Sequence, residues 1–556
     1  MRSAISIDLG TTYAVMARPG NSGSPQIILN RHGQRKTLST VSFPGGAPEV
    51  GVDPLHQPPG TVVRCVKDTI GDPTWRFRRA DLSFRSEEIV AIILSQLATD
   101  AERTLGTRVT DAVLTVPASF EAVARRALRD AGAIAGLRVD RLVNEPTAAA
   151  LAYQQRVSAD RTVLVYALGG GAFDVSVVRL SPDGVDVRAT RGDRRLGGWN
   201  WDNVLMRLLQ ARLRSGRGPD LLRGEAGAAY LRGRAELLKR QLTITRRAET
   251  VVRCNTGSWR IPVTRTEFEA ASAPLVTRTR DLVRAVLADT GLTGSDLDRV
   301  VLVGGPTSMP MVRRMLRRLL DVPLEDSIAP AEVVALGAAL LASGVAEDPE
   351  PAGPGVRRPP RVREVASHGL GVLARDSETG VVRNVVVVPA GTDLPAAGQT
   401  TVTTSEDGQT RAVIKVTQGD STHPAEVRVL GRHVIALPSR PAGVRIDVSC
   451  SYDAAAVPHV EVIDRTARRR PTGPLPVPSP AAMSPADVLV AARRLAVMLP
   501  RSGSSYHAGA VSDVVPTVLS STCPVATELS TTYSSVSVPP PADPRHSGVD
   551  HRGERG

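Results

Sequence analysis

Two short stretches carry residue types and spacings that could hold a phosphorylated ligand. The first, Ala4 to Val15, reads AISIDLGTTYAV, an apolar run with Asp8, a turn of Gly10, Thr11, Thr12 and Tyr13, then a second alternating run. The second, Val163 to Val178, reads VLVYALGGGAFDVSVV, with Gly169, Gly170 and Gly171 at its turn and Asp174 just beyond. Both patterns predict two strands joined by a tight glycine turn. Glycines without a Cβ let backbone N–H groups close on a phosphate. One such turn marks any hairpin. Two of them, each with an aspartate, predict a clamp that grips a nucleotide's phosphates from both sides.

The elements needed to position that clamp are legible. Residues 1 to 346 alternate strands and helices, an α/β pattern. Val113 to Pro117 reads as a buried strand, and Ser119 as the cap of a helix whose apolar positions are Phe120, Val123, Ala127, Ala131 and Ile134, ended by Gly136. A further strand leads into Asn144-Glu145-Pro146-Thr147. Residues 347 to 363 are rich in Pro and Gly and read as a linker. From 364 to 466 short alternating runs with turn signals predict an all-β domain. Residues 467 to 556 turn Pro/Ser/Thr-rich and read as a mostly disordered tail. Within it Ser484 caps one short helix with an apolar stripe of Val488, Ala491, Leu495 and Met498.

The blocks IDLGTT, NEPTAAALAY, LGGGAFDVS and VLVGGPTSMP occur here in the order seen in DnaK-type chaperones, the seventy-kilodalton heat-shock protein family. The resemblance spans residues 4 to 466. It implies a two-lobed actin-like (ribonuclease H-like) ATPase domain, a β-sandwich that binds peptide, and ATP or ADP with Mg²⁺ as cofactors. It also implies unfolded or extended apolar polypeptides as partners, with a J-domain co-chaperone and a nucleotide-exchange factor.

Residue by residue, the resemblance assigns Lys67 to the γ-phosphate and the attacking water, and Glu145, Asp8 and Asp174 to the metal's water shell. Glu236, Lys239, Arg240 and Thr243 match the helix that packs on adenine and ribose. Gly304 and Gly305 match the adenosine turn, and Val382, Val402 and Val413 the peptide cleft. Pro117, Arg125, Arg141, Asn144 and Thr147 match positions that carry interlobe signals or meet the J-domain. The plainer alternatives are a solvated Lys67, a helix-start carboxylate at Glu145, an ordinary salt-bridge face at Glu236, Lys239 and Arg240, and valines that only fill a sandwich core.

The departures carry as much information. Ala167 stands where the family has an aspartate and Ala172 where it has a threonine, so two oxygens that organise water are missing. Groups of that kind contribute roughly 10²–10⁴-fold to rate. Nucleotide binding, built on backbone, is expected to outlast hydrolysis. Pro306 and Ser308 alter the adenosine turn, Ala331 replaces an acid before Glu332, and the stretch from Lys67 to Pro117 is short. Arg361-Val362-Arg363-Glu364-Val365 puts charge where the family's linker has docking leucines, which predicts weakened coupling between domains.

Composition bounds the alternatives. Aromatics are 3% of residues, so cores must be built from Ala, Val and Leu. The net charge of +13 invites nucleic acid, but arginine is spread along the chain and stacking aromatics are scarce, which argues against that partner. The four cysteines, Cys65, Cys254, Cys450 and Cys523, are far apart. That spacing fits a reducing cytoplasm better than a zinc or disulfide framework. No signal-peptide pattern or membrane-length apolar run is seen. Three readings follow: a DnaK-like chaperone with slowed hydrolysis, a nucleotide-dependent regulatory module without turnover, and an actin-fold phosphotransferase.

Overall fold

The computed structural model describes residues 3–20, 24–57, 61–79, 82–342, 360–375, 380–464, 475–476 and 482–499. Most of the expected linker, the expected disordered tail after 499, and Cys523 lie outside the described residues.

Two sheets of the same plan dominate the first part of the chain. In each, a three-stranded antiparallel meander is extended by two strands parallel to its first member. The first meander is Ser3–Leu9, Tyr13–Arg18 and Gln26–Ile28, extended by Val109–Val116 and Arg138–Asn144. The second is Arg161–Leu168, Phe173–Ser181 and Gly184–Asp193, extended by Arg299–Val303 and Leu324–Glu325. The central strands are Val- and Leu-rich and buried on both faces, as parallel strands covered by helices must be.

Two helices, Glu145–Gln154 and Val333–Ala342, share one apolar core with strands of both sheets. Both are apolar nearly all round, as helices enclosed on every side must be. They cross in close contact at Gly337, where a Cβ would fall 1.6 Å from the carbonyl oxygen of Ala148. Outer helices complete each lobe. Ser86–Leu105 and Ala122–Ile134 cover the first sheet, and Gly198–Ser215 and Arg265–Thr290 cover the second.

The expected Ser119 cap is not what starts the Ala122–Ile134 helix. The N-cap position is Glu121, without a side-chain cap bond. Ser119 instead gives its backbone N–H to Asp174 Oδ1 at 3.1 Å, and Ala118 N–H reaches Oδ2 at 3.1 Å. The Ser119 N–H thus serves a buried carboxylate on the other lobe, which needs donors, and the helix starts later, at Glu121.

The charged segment at 361–365 packs on the second sheet. Arg361–Arg363 joins the second sheet as an edge strand, parallel to Gly184–Asp186. Val365 is buried and Val362 packs beside it, while both arginines face out. Glu364 is buried, accepts from Asn144 Nδ2 at 2.8 Å, and lies among Arg125, Arg141 and Thr147. Main-chain pairing and a satisfied buried charge do here what a leucine cluster would do elsewhere.

Beyond it, two four-stranded antiparallel sheets share one apolar core. One runs Val382–Val388, Leu370–Arg375, Arg411–Gln418, Arg428–Ala436, and the other Ala396–Thr403, Arg445–Tyr452, Pro458–Asp464, Leu475–Pro476. Val123 of the first lobe's helix enters this core. Gln418 Oε1 accepts from Ala122 N–H at 3.2 Å, His368 Nε2 meets Ser119 O at 3.1 Å, and Glu121 bridges Arg428.

The late helix, Pro485–Met498, forms with the expected capping box between Ser484 and Asp487. Its stripe packs on the first lobe: Met483, Val488, Ala491 and Leu495 are part of that lobe's core. Arg494 lies over the Phe84 ring and pairs with Glu88. Leu495→Ala should therefore lower the stability of the first lobe by about 2–3 kcal/mol, read as an earlier chemical-denaturation midpoint of the nucleotide-binding part of the chain. An unchanged midpoint would mean that the helix does not belong to that core.

Candidate functional site

A cavity of about 380 Å³ opens between the two sheets, against the crossing helices. Asp8, the turn Gly10–Tyr13, Lys67, Glu145, the turn Gly169–Gly171, Glu236, Lys239, Arg240, Thr243, Gly304 and Gly305 all line it. Asp174 alone among the expected nucleotide-site residues does not.

The two turns are built alike. Gly10 N–H donates to Tyr13 O at 3.0 Å, and Gly169 N–H to Ala172 O at 2.9 Å. Neighbours hold their carbonyls. Ser39 Oγ donates to Gly10 O at 2.7 Å and Ser39 N–H to Thr12 O at 2.9 Å. Gly198 and Trp199 N–H groups donate to the oxygens of Gly169 and Gly170, each at 2.9 Å. The register sets Asp8 opposite Val15 and Asp174 opposite Ala167, two residues from each turn.

Charge concentrates at one end. Lys67 is held on a short 3₁₀ turn, Val66–Thr69, entered through a left-handed Cys65. Its Nζ contacts Glu145 Oε1 at 2.6 Å, and both side chains are largely buried. Burial pulls the Lys67 pKa down, but the charges of Glu145, Asp8 and Asp68 overcome it and hold the ammonium above its usual value. Glu145 also occupies the first turn of its helix, so the helix-start position and a place in the cavity wall coincide. Asp8 accepts from Thr115 Oγ1 at 2.7 Å, and burial, then Glu145, push its carboxyl up to about 6.

At the other end, Arg240 donates to Tyr13 Oη at 2.8 Å and to Glu236 Oε1 at 2.7 Å, with its guanidinium over the Tyr13 ring. The salt-bridge face considered from sequence therefore exists, and it also faces the cavity. Lys239 pairs with Asp202 at 2.7 Å and donates to Gly198 O at 3.1 Å. Ala167, Ala172, Pro306 and Ala331 all line the cavity and offer it no side-chain oxygen. Glu332 is drawn away from it into a two-point contact with Arg35, at 2.7 Å each.

Asp68, Lys36, Trp199 and Asp202 line the cavity too, and sequence reasoning missed them. Asp68 alone had a visible signal, as a carboxylate directly after Lys67.

The peptide-site valines do not come together. Val382 and Val413 lie in one sheet and are half exposed, while Val402 lies in the other, half-buried against the shared core. The core-filling reading holds for Val402. Val413 pairs across strands with Val434, also half exposed.

Among the described residues no group of three or more His, Cys, Asp or Glu side chains could hold a metal ion directly. Asp8 and Glu145 both face the cavity, with Lys67 in contact with Glu145. That donor set fits a hydrated divalent cation such as Mg²⁺, which keeps its waters and uses few protein ligands. Among the described residues no helix is long and apolar enough to cross a membrane.

Duplicated sheets, crossing helices and a cleft lined by paired backbone turns define the class of two-lobed actin-like ATPase folds. The family model described as "Hsp70 protein" matches residues 58–479, more than half of the chain. The chain belongs to the Hsp70 family.

Asp174 supplies a test of the site's electrostatics. Burial first, then Glu145, push its carboxyl up to about 7 from 3.8, despite the bonds from Ser119 and Ala118. The folded chain thus holds a proton that the unfolded chain releases between about pH 4 and 7. Stability falls across that window and levels off above it. Asp8 acts in the same direction. The nucleotide-free protein should melt lower at pH 8 than at pH 5, and Asp174→Asn should flatten most of that difference in a thermal-melt series. A melt that rises with pH over this range would contradict the assignment.

Proposed function

We propose that the protein is an adenine-nucleotide-binding chaperone of the DnaK type, in which nucleotide in the cleft governs binding of extended apolar polypeptide by the β-sheet unit. The observation that carries the reading is the pair of facing turns, Gly10–Tyr13 and Gly169–Gly171, whose carbonyls are already held from behind. Their N–H groups supply the phosphate grip, with Lys67 at its charged end. The helix Glu225–Ile244, through Glu236, Arg240 and Thr243, and the turn at Gly304 and Gly305 form the base end. Magnesium, when bound, neutralises phosphate charge, and Asp8 and Glu145 orient its water shell. Lys67 places the attacking water. Asp174 ties the 117–121 loop to the second lobe, and this loop meets the β-sheet unit.

Hydrolysis is slow in this reading. At Ala167 and Ala172 the cavity wall carries methyl groups, so water near the phosphates lacks two orienting oxygens. This favours, as a second reading, a regulatory module that binds nucleotide with negligible turnover. An actin-fold phosphotransferase is the third and least supported. Isothermal calorimetry should show ATP or ADP binding in the presence of magnesium, and the absence of both would remove the proposal's basis. In single-turnover assays Ala167→Asp should raise the hydrolysis rate about 10²-fold, within the range for such groups. No gain would place the limit elsewhere.

Apolar peptide is taken to lie along the exposed face that carries Val382, Val413 and Val434, held by main-chain hydrogen bonds with side chains seated between the valines. A J-domain co-chaperone and an exchange factor are the partners this reading calls for, in a cytoplasmic setting. Val413→Asp should weaken binding of a labelled apolar peptide about tenfold by fluorescence anisotropy without changing nucleotide affinity. Unaltered peptide binding would rule out this face.

A further inference from the structure

Asp68 closes the charged end of the cleft. Its Oδ1 accepts from Thr11 Oγ1 at 2.8 Å, so the hydroxyl proton of the first turn already points to a carboxylate. The same carboxylate lies against the second turn: a Cβ on Gly171 would fall 2.2 Å from Oδ1 and 2.5 Å from Oδ2. The turns themselves stand close, since a Cβ on Gly170 would fall 2.8 Å from Thr12 Oγ1. Asp68 therefore spans the gap between the two turns.

Asp68 is also a wall of a second, polar cavity of about 460 Å³ on the far side of Gly171, shared with Arg194, Asn200, Asn203 and Arg428. The carboxylate is exposed to these openings. Burial raises its pKa, while the Thr11 bond, Lys67 and Arg194 lower it. The nearest cation, Lys67, is already in contact with Glu145. Arg194 is engaged by Glu121 at 3.3 Å.

A chain of phosphates entering from the base end passes between the turns and then meets this group. A second phosphate can be held by the turns. A third must approach Asp68 and Glu145, where Lys67 is already in contact with Glu145 and Arg194 with Glu121. Each added phosphate brings more negative charge towards the Asp68 carboxylate, and like charges repel. Discrimination built on such repulsion acts against one ligand while leaving the other alone.

We propose that Asp68 is a specificity-determining residue that disfavours the terminal phosphate of a nucleoside triphosphate, making the cleft selective for the diphosphate. The proposal rests on the reading of the cleft as a nucleotide site. It makes the protein's resting state the diphosphate-bound one and turns the cleft into a reader of ADP.

The test is calorimetry on the full chain with Mg·ADP and with a non-hydrolysable Mg·ATP analogue. The wild-type protein should bind ADP at least tenfold more tightly than the analogue. Asp68→Asn keeps the shape and an acceptor for Thr11 but removes the charge. It should tighten the analogue about tenfold and leave ADP within about twofold. Equal or tighter binding of the analogue by the wild-type protein overturns the proposal without any variant. So does an Asp68→Asn change that shifts both ligands together, which would make Asp68 only a prop for the Thr11 turn. If the wild-type protein binds neither ligand, the nucleotide reading fails and takes this one with it. Binding of both ligands with an unselective ratio removes this one alone.

Discussion

Asp8, Asp68 and Glu145 gather around Lys67 at the cleft, and Asp174 lies behind them, within reach of the Glu145 charge. Carboxylates withdrawn from water must be protonated, paired or given donors, and each of these four has a partner. Glu145 takes Lys67, Asp8 takes the Thr115 hydroxyl, Asp68 takes Thr11, and Asp174 takes two backbone N–H groups. The positions of the first turn, the short turn around Lys67, the 117–121 loop and the crossing helix that starts at Glu145 all answer to that requirement. A buried ion pair such as Lys67–Glu145 adds little net stability, but removing one partner is costly. The arrangement therefore fixes geometry more than it strengthens the fold.

The same requirement links the cleft to the rest of the molecule. Asp174 holds Ala118 and Ser119, whose loop continues into Glu121 and Ala122, which touch Arg428 and Gln418 of the β-sheet unit. Ser119 O also meets His368. On the neighbouring side, Asn144 stands between Arg125 and Glu364, so the residue before Glu145 touches the edge strand that leads to the β-sheet unit. Two short polar routes thus join the carboxylate end of the cleft to the second unit.

Much of this was legible in the chain, because it was written in local patterns. The glycine turns, the strands flanking them, the Glu145 helix and the Ser484 cap depend on neighbours a few residues apart. What escaped depends on distant partners. Ser119 reads as a cap, but the helix starts at Glu121 and the Ser119 N–H goes to Asp174, 55 residues away. The run from Arg361 to Val365 reads as too charged to dock until Asn144, Arg125 and Arg141 are seen around Glu364. Val382, Val402 and Val413 share an alternating pattern, yet pairing order sends Val402 to the other sheet. Asp68 was visible as a residue but not as a wall of the cleft, since its contacts come from the two opposite turns. The docking of the Pro485–Met498 helix on the first lobe had no local signal either, because an apolar stripe does not say what covers it.

The central claim is that backbone N–H groups of two facing turns grip phosphate. Hydrogen–deuterium exchange of the full chain with and without Mg·ADP addresses it most directly. The account predicts slowed exchange of amides in both Gly10–Tyr13 and Gly169–Ala172, with a smaller change along Glu225–Ile244. Saturating ligand that leaves both turns exchanging at their free rates, or protects only one of them, would contradict it.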